Sequence, residues 1–162
     1  MIKVGDRLPA MKLMTPTPEG PREIDTGALF AGKTAVLFAV PGAFTPTCSA
    51  RHLPGFLDHY DALRARGADA VVCLAVNDVF VMGAWAASQT GGDRITFLAD
   101  GSALFTRAIG LELDLTARGL GIRSQRFALI AKDGVVTHLA VEPAGGFEVS
   151  RAEAILEALP HS

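Results

Sequence analysis

Two short runs of unbroken apolar residues constrain this chain more than any other feature: Thr34–Ala39 (TAVLFA) and Ala70–Val76 (AVVCLAV). Neither alternates with polar residues, so neither suits a strand with one face in water. Both suit strands covered on two sides, as in a parallel sheet whose crossovers lay helices over both faces. The residues between them supply such a helix. Phe56, Tyr60 and Leu63 recur at i, i+4 and i+7, and Gly67 stands where a C-terminal cap belongs. Asn77–Asp78 can cap a second helix through about Ala87. Ile95–Ala99 reads as a third strand, and Ala103–Ile109 as a short helix stopped by Gly110.

The ends of the chain follow other rhythms. Up to about Arg22, Pro9, Pro16, Pro18, Gly20 and Pro21 predict turns and short edge strands. Phe127–Ala131 and Val135–Val141 flank Lys132–Asp133–Gly134, a hairpin signal because Asp-Gly accepts positive φ. Ser150–Arg151–Ala152–Glu153 has the form of a capping box opening a last helix through Leu159. The resulting order, β-α-β-α-β-α-β-β-α, is a thioredoxin-like α/β layout: a mixed central sheet flanked by helices. No repeat, linker or low-complexity tract divides the 162 residues, so one domain over 1–162 is expected.

Composition excludes several classes. A net charge of −2 leaves no basic footprint for nucleic acid. The longest apolar run, Ala35–Phe44, is interrupted by Pro41 and Gly42 and is about half of the ~20 residues a membrane helix needs. Met1–Asp6 has no apolar h-region, so a cytoplasmic protein is expected, where Cys48 and Cys73 would rest as thiols. These two cysteines form no CxxC pair for zinc or dithiol exchange. Gly91–Gly92 and Gly145–Gly146 are bare turns, not a phosphate loop, and no cofactor is expected.

The segment that carries chemistry is VPGAFTPTCS, Val40–Ser49, between the first buried strand and its helix. Thr45 is a good N-cap residue and Pro46 falls at the first helical position. Thr47 and Cys48 then stand at N2 and N3, where backbone N–H groups lack helical partners and the macrodipole is positive. Cysteines in such places fall from about 8.5 to roughly 3.5–7.5 in pKa. A free cysteine is most often a small buried hydrophobe; position is what singles out Cys48.

The string Pro41-x-x-x-Thr45-x-x-Cys48 resembles the peroxiredoxin active-site signature, and VPGAFTPTCS resembles its type II (atypical) version. The resemblance continues through HLPGF (His52–Phe56), CLAVNDVFV (Cys73–Val81) and RSQRFALI (Arg123–Ile130), and runs from about Val4 to Leu159. It implies a thiol peroxidase that reduces hydrogen peroxide and small alkyl hydroperoxides. Cys48 matches the nucleophile, whose thiolate attacks the peroxide and becomes a sulfenic acid. Thr45 matches the threonine that holds the peroxide, with the Thr47 and Cys48 amides beside it. Pro41 matches the proline that shields the sulfur. Arg126 matches the arginine that favours thiolate, with Arg123 its nearest rival. The pocket is expected to be shallow, lined by Pro41, Phe44 and the apolar start of the helix.

Histidines carry no such match. His52 and His59 sit seven apart without a third ligand, so packing or solvent roles are expected of them. Cys73 lies within a continuous apolar strand and reads as structural, although some type II members use a cysteine there to resolve the sulfenic acid. Others carry it late in the chain, and Phe147–Ser150 has none. Reduction by glutathione with glutaredoxin is therefore expected, with thioredoxin acting through Cys73 as the alternative. Type II members pair through the active-site edge, which implies a homodimer through Phe44, Phe80 and Leu120. Two other readings stay open: a peroxide sensor or redox relay, and a cysteine hydrolase with His138 as base.

Overall fold

A computed structural model describes residues 1–159. Seven strands form one mixed sheet: β1 (Lys12–Thr17), β2 (Gly20–Asp25), β3 (Thr34–Val40), β4 (Ala70–Ala75), β5 (Thr96–Ala99), β8 (Phe127–Lys132) and β9 (Val135–Val141), in the order β2-β1-β5-β4-β3-β8-β9. The two apolar runs are central neighbours. β3 pairs β4 in parallel, Phe38 opposite Cys73, and β4 pairs β5 in parallel. On its other side β3 takes β8 antiparallel.

The unbroken apolar sequence is explained by what covers each face. Val36, Phe38 and Val40 point into one core with Cys48, Phe56, Leu63, Met82, Trp85 and Ile155. Ala35, Leu37 and Ala39 point into the other with Phe30, Phe105 and Ile109. One face is thus covered by α2 (Leu53–Asp58), α3 (Tyr60–Ala65), α4 (Val79–Ala87) and α6 (Ala152–Ala158). The opposite face is covered by α1 (Thr26–Phe30) and α5 (Leu104–Ala108). Adjacent residues on β3 belong to different cores because strand side chains alternate. The thioredoxin-like arrangement expected from the sequence is the one present.

Several local expectations need correction. The helix predicted over Phe56–Leu63 breaks at His59, and its opening turn is a π-turn, Cys48–His52. The Ser150 capping box is absent: Arg151 is the N-cap without a side-chain bond, and the Ser150 hydroxyl instead donates to Glu142. A buried carboxylate competes better for that hydroxyl than an exposed helix end. An antiparallel ribbon of β6 (Glu112–Leu115) and β7 (Gly121–Ser124) was not anticipated, although Leu113 and Leu115 alternate with Glu112 and Asp114. The Asp133–Gly134 turn does take positive φ at both residues, 51° and 77°. Among the described residues no helix is long and apolar enough to cross a membrane.

Candidate active site

β3 delivers the chain to the site and Pro41 ends it, since proline offers no ladder hydrogen bond. The next four residues fold tightly. Thr45 donates both its N–H and its hydroxyl to the Gly42 carbonyl, the hydroxyl at 2.7 Å. Ala43 N–H donates to Asn77 Oδ1 at 2.9 Å, which ties the turn to the start of α4. Phe44 is held at φ 64°, an uncommon left-handed position for a bulky residue. Gly42 leaves room for Arg123: a Cβ there would stand 2.9 Å from Arg123 Nη1, so the guanidinium would have to shift.

The helix begins as expected at Pro46, and Ser49 N–H donates to the Thr45 carbonyl. The Thr47 and Cys48 amides therefore precede the first helical hydrogen bond among the described residues. Thr45 differs from the expectation in one respect. Its hydroxyl proton goes back to Gly42 rather than its oxygen capping the helix, so the oxygen keeps its lone pairs as acceptors. From Cys48 the helix widens, and Leu53 N–H reaches back to the Cys48 carbonyl, an i to i+5 bond.

One guanidinium faces this turn. Arg126, just before β8, donates from Nη2 to Cys48 Sγ at 3.1 Å and from Nη1 to His52 Nδ1 at 2.8 Å. A carbonyl can only accept, so His52 Nε2, 3.0 Å from the Ser150 carbonyl, must carry the ring proton. Burial, then the neighbouring Arg126 charge, push the His52 pKa down to about 3, against the Ser150 bond. The imidazole is neutral, with both nitrogens engaged.

This corrects the expectation that His52 only fills space. It is fully buried, between the rings of Phe38, Phe56 and Phe147, and it fixes the plane of the guanidinium. The available signal was its spacing: four residues after Cys48 on a helix is the same face. Arg123, the rival cation, donates from Nε to the Leu120 carbonyl and lies against Gly42; the bond to Cys48 comes from Arg126. His138 sits on β9 opposite Ile130, whereas the side-chain hydrogen bond to the sulfur comes from Arg126. His52 has both ring nitrogens engaged, by Arg126 and by the Ser150 carbonyl, so it is not free to act as the base that a cysteine hydrolase needs.

Cys48 itself is fully buried. A cavity of about 550 Å³ opens beside it, walled by Pro41, Thr47, Arg126, Leu113, Leu115 and the turn Glu142–Gly146. Pro41 lines it, together with Thr47, but Phe44, expected there, does not; it is 54% exposed. Cys73 is fully buried in β4, in the same core as Cys48, and burial pushes its thiol well above the ordinary range. Both cysteines are free. No cluster of three or more histidine, cysteine or acidic side chains with metal-binding proximity occurs among the described residues.

A thioredoxin-like sheet that presents one cysteine at a helix start, against an arginine at the entry to an antiparallel strand, defines a thiol-based redox protein. The Redoxin family matches residues 3–156. Peroxiredoxin-2C of Oryza sativa subsp. japonica is 49% identical over 159 residues, covering 98% of each chain. The crystal structure of reduced Prx3 of Vibrio vulnificus in complex with hydrogen peroxide superposes with a TM-score of 0.94 at 52% identity, over 99% of this chain and 100% of that one. Peroxiredoxin 5 of Alvinella pompejana superposes with a TM-score of 0.87 at 33% identity, over 98% of both chains. The chain belongs to the peroxiredoxin family.

Proposed function

We propose that this protein is a type II peroxiredoxin that reduces hydrogen peroxide and small alkyl hydroperoxides at Cys48, using glutathione and glutaredoxin as reductant. The observation that carries the reading is the 3.1 Å contact of Arg126 Nη2 with Cys48 Sγ at a helix start.

The peroxide enters past Pro41 and Thr47. Its O–H groups are donors for the Thr45 oxygen, and its oxygens can accept from the Thr47 and Cys48 amides and from Arg126. The sulfur anion attacks the nearer oxygen. An S–O bond forms as the O–O bond breaks, the attacked oxygen keeps its proton, and the departing hydroxide or alkoxide takes a proton from water to leave as water or alcohol. Donors aimed at the leaving oxygen act where negative charge develops. Cys48 is left as a sulfenic acid. One thiol then condenses with it, releasing water and forming a mixed disulfide, and a second thiol frees Cys48.

Two observations support an external reductant. Cys73 is held in β4 with strands paired on both sides, and Phe147–Ser150 offers no second thiol. A homodimer is proposed through the active-site edge. Phe44, Phe80 and Leu120 are large, apolar and 54%, 73% and 39% exposed. Bonds between neighbouring segments support this: Ala43 bonds Asn77 ahead of α4, and Arg123, which lies against Gly42, donates to the Leu120 carbonyl. The cytoplasm is the proposed compartment.

The deciding measurement is peroxide consumption by the reduced protein, with one equivalent lost per Cys48 in the absence of recycling thiols. Consumption that persists unchanged in Cys48→Ser would refute the assignment.

A further inference from the structure

We propose that Glu142 is a positioning residue for the peroxide reaction, acting on the sulfur through Ser150, His52 and Arg126. The inference rests on the peroxidase reading of Cys48.

Glu142 follows β9 and is 6% exposed. One of its oxygens, Oε2, accepts three hydrogen bonds: from Glu148 N–H at 2.7 Å, Ser150 N–H at 2.8 Å and the Ser150 hydroxyl at 2.7 Å. Its own N–H donates to the Arg126 carbonyl at 2.9 Å. The residue therefore holds both ends of the wall behind the guanidinium. It fixes the Arg126 backbone directly, and it fixes Ser150, whose carbonyl receives the His52 proton. From there the bonds run unbroken: Ser150 carbonyl, His52 ring, Arg126 guanidinium, Cys48 sulfur.

The same carboxylate closes the loop that carries Phe147. That ring lies edge-on to His52, 5.1 Å between centroids, with the Arg51 guanidinium carbon 4.7 Å and the Arg126 carbon 5.8 Å from it. Charge-assisted hydrogen bonds are about twice as strong as neutral ones. Three of them on one oxygen explain why a loop of this composition, Pro143–Ala144–Gly145–Gly146, is held closed. Gly146 packs so tightly on this arrangement that a Cβ would come 3.2 Å from Glu142 Oε1. Without the carboxylate the Ser150 carbonyl is free to shift, the imidazole loses its anchor, and Arg126 is no longer held in the plane that meets the sulfur.

The test is the second-order rate of hydrogen peroxide with the reduced protein in a single turnover, which needs no recycling system. Glu142→Ala should slow it by ~10- to 100-fold, the range expected for misplacing a reacting group by up to an ångström. Glu142→Gln keeps size and one neutral acceptor, and should lose less, about three- to tenfold. Each variant is then combined with Arg126→Ala. If Glu142 acts through the arginine, its effect disappears in that background, whereas a general loss of fold would persist. Should the alanine variant fail to fold, the glutamine variant carries the same comparison. A folded variant within about twofold of wild type, or one losing the same factor in both backgrounds, overturns the proposal. Absence of any peroxide reaction in the wild type would instead sink the peroxidase reading.

Discussion

Arg126 Nη1 donates to His52 Nδ1 at 2.8 Å while Nη2 donates to Cys48 Sγ at 3.1 Å, so one planar group is fixed by a neutral ring and in turn fixes the sulfur. A guanidinium keeps its two terminal nitrogens in a rigid fork. The ring therefore sets the angle from which the cation meets Cys48.

Arg126→Ala should slow single-turnover oxidation of Cys48 by orders of magnitude, about 100-fold or more, because it removes a donor aimed at developing charge. Arg126→Lys should recover little, since an ammonium cannot bond the ring and the sulfur in one plane. Stopped-flow measurement at fixed pH checks both. A lysine variant equal to wild type would show that charge alone suffices.

Cys48→Ser should abolish peroxide consumption with the thermal unfolding curve little changed. The serine oxygen is a comparable acceptor for Arg126, and so leaves no buried donor unpaired. A collapse of stability would mean that the sulfur is chiefly a packing group.

The His52 ring gives stability a pH dependence. Its folded pKa lies near 3, below the usual 6.5, so between those values the unfolded chain binds the proton and the native chain does not. Stability is therefore full above about pH 6.5 and falls as the pH drops toward 3. The loss is on the order of 1–2 kcal/mol by pH 5, at 1.36 kcal/mol per unit. Melting curves from pH 7 to 5 should show a steeper decline for wild type than for His52→Asn. Equal slopes would place the acid sensitivity elsewhere.

Cys73→Ser should turn over at near wild-type rates with glutathione and glutaredoxin. A lost activity, together with a Cys48–Cys73 disulfide found by mass spectrometry after peroxide treatment, would make Cys73 the resolving thiol and favour thioredoxin.

Leu120→Glu and Phe80→Glu test the proposed homodimer: each puts a charge at an exposed apolar side chain of the proposed interface, and sedimentation should shift from dimer to monomer. An unchanged state would move the interface to another surface.

What could be read from the sequence follows from periodicity. β3 and β4 were legible because burial on both faces leaves Ala35–Val40 and Ala70–Ala75 wholly apolar, and Asp133–Gly134 because its backbone demands positive φ. Cys48, Thr45, Pro41 and Arg126 were legible as a motif, yet only the fold explains why Arg126 rather than Arg123 reaches the sulfur. Their side chains leave the chain three residues apart and point to different partners. His52 was missed because a histidine amid phenylalanines looks like filler until both ring nitrogens are accounted for. Glu142 was invisible for a related reason: its partners lie six and eight residues on, in a loop whose closure no local pattern announces.

The chain's single tryptophan, Trp85, is buried and donates from Nε1 to the hydroxyl of Ser49, next to Cys48. Unwinding the π-turn would carry Ser49 away and break that bond to the indole. The protein thus carries its own optical label, and a shift of emission on adding peroxide would time the opening of the turn without a dye or a coupled assay.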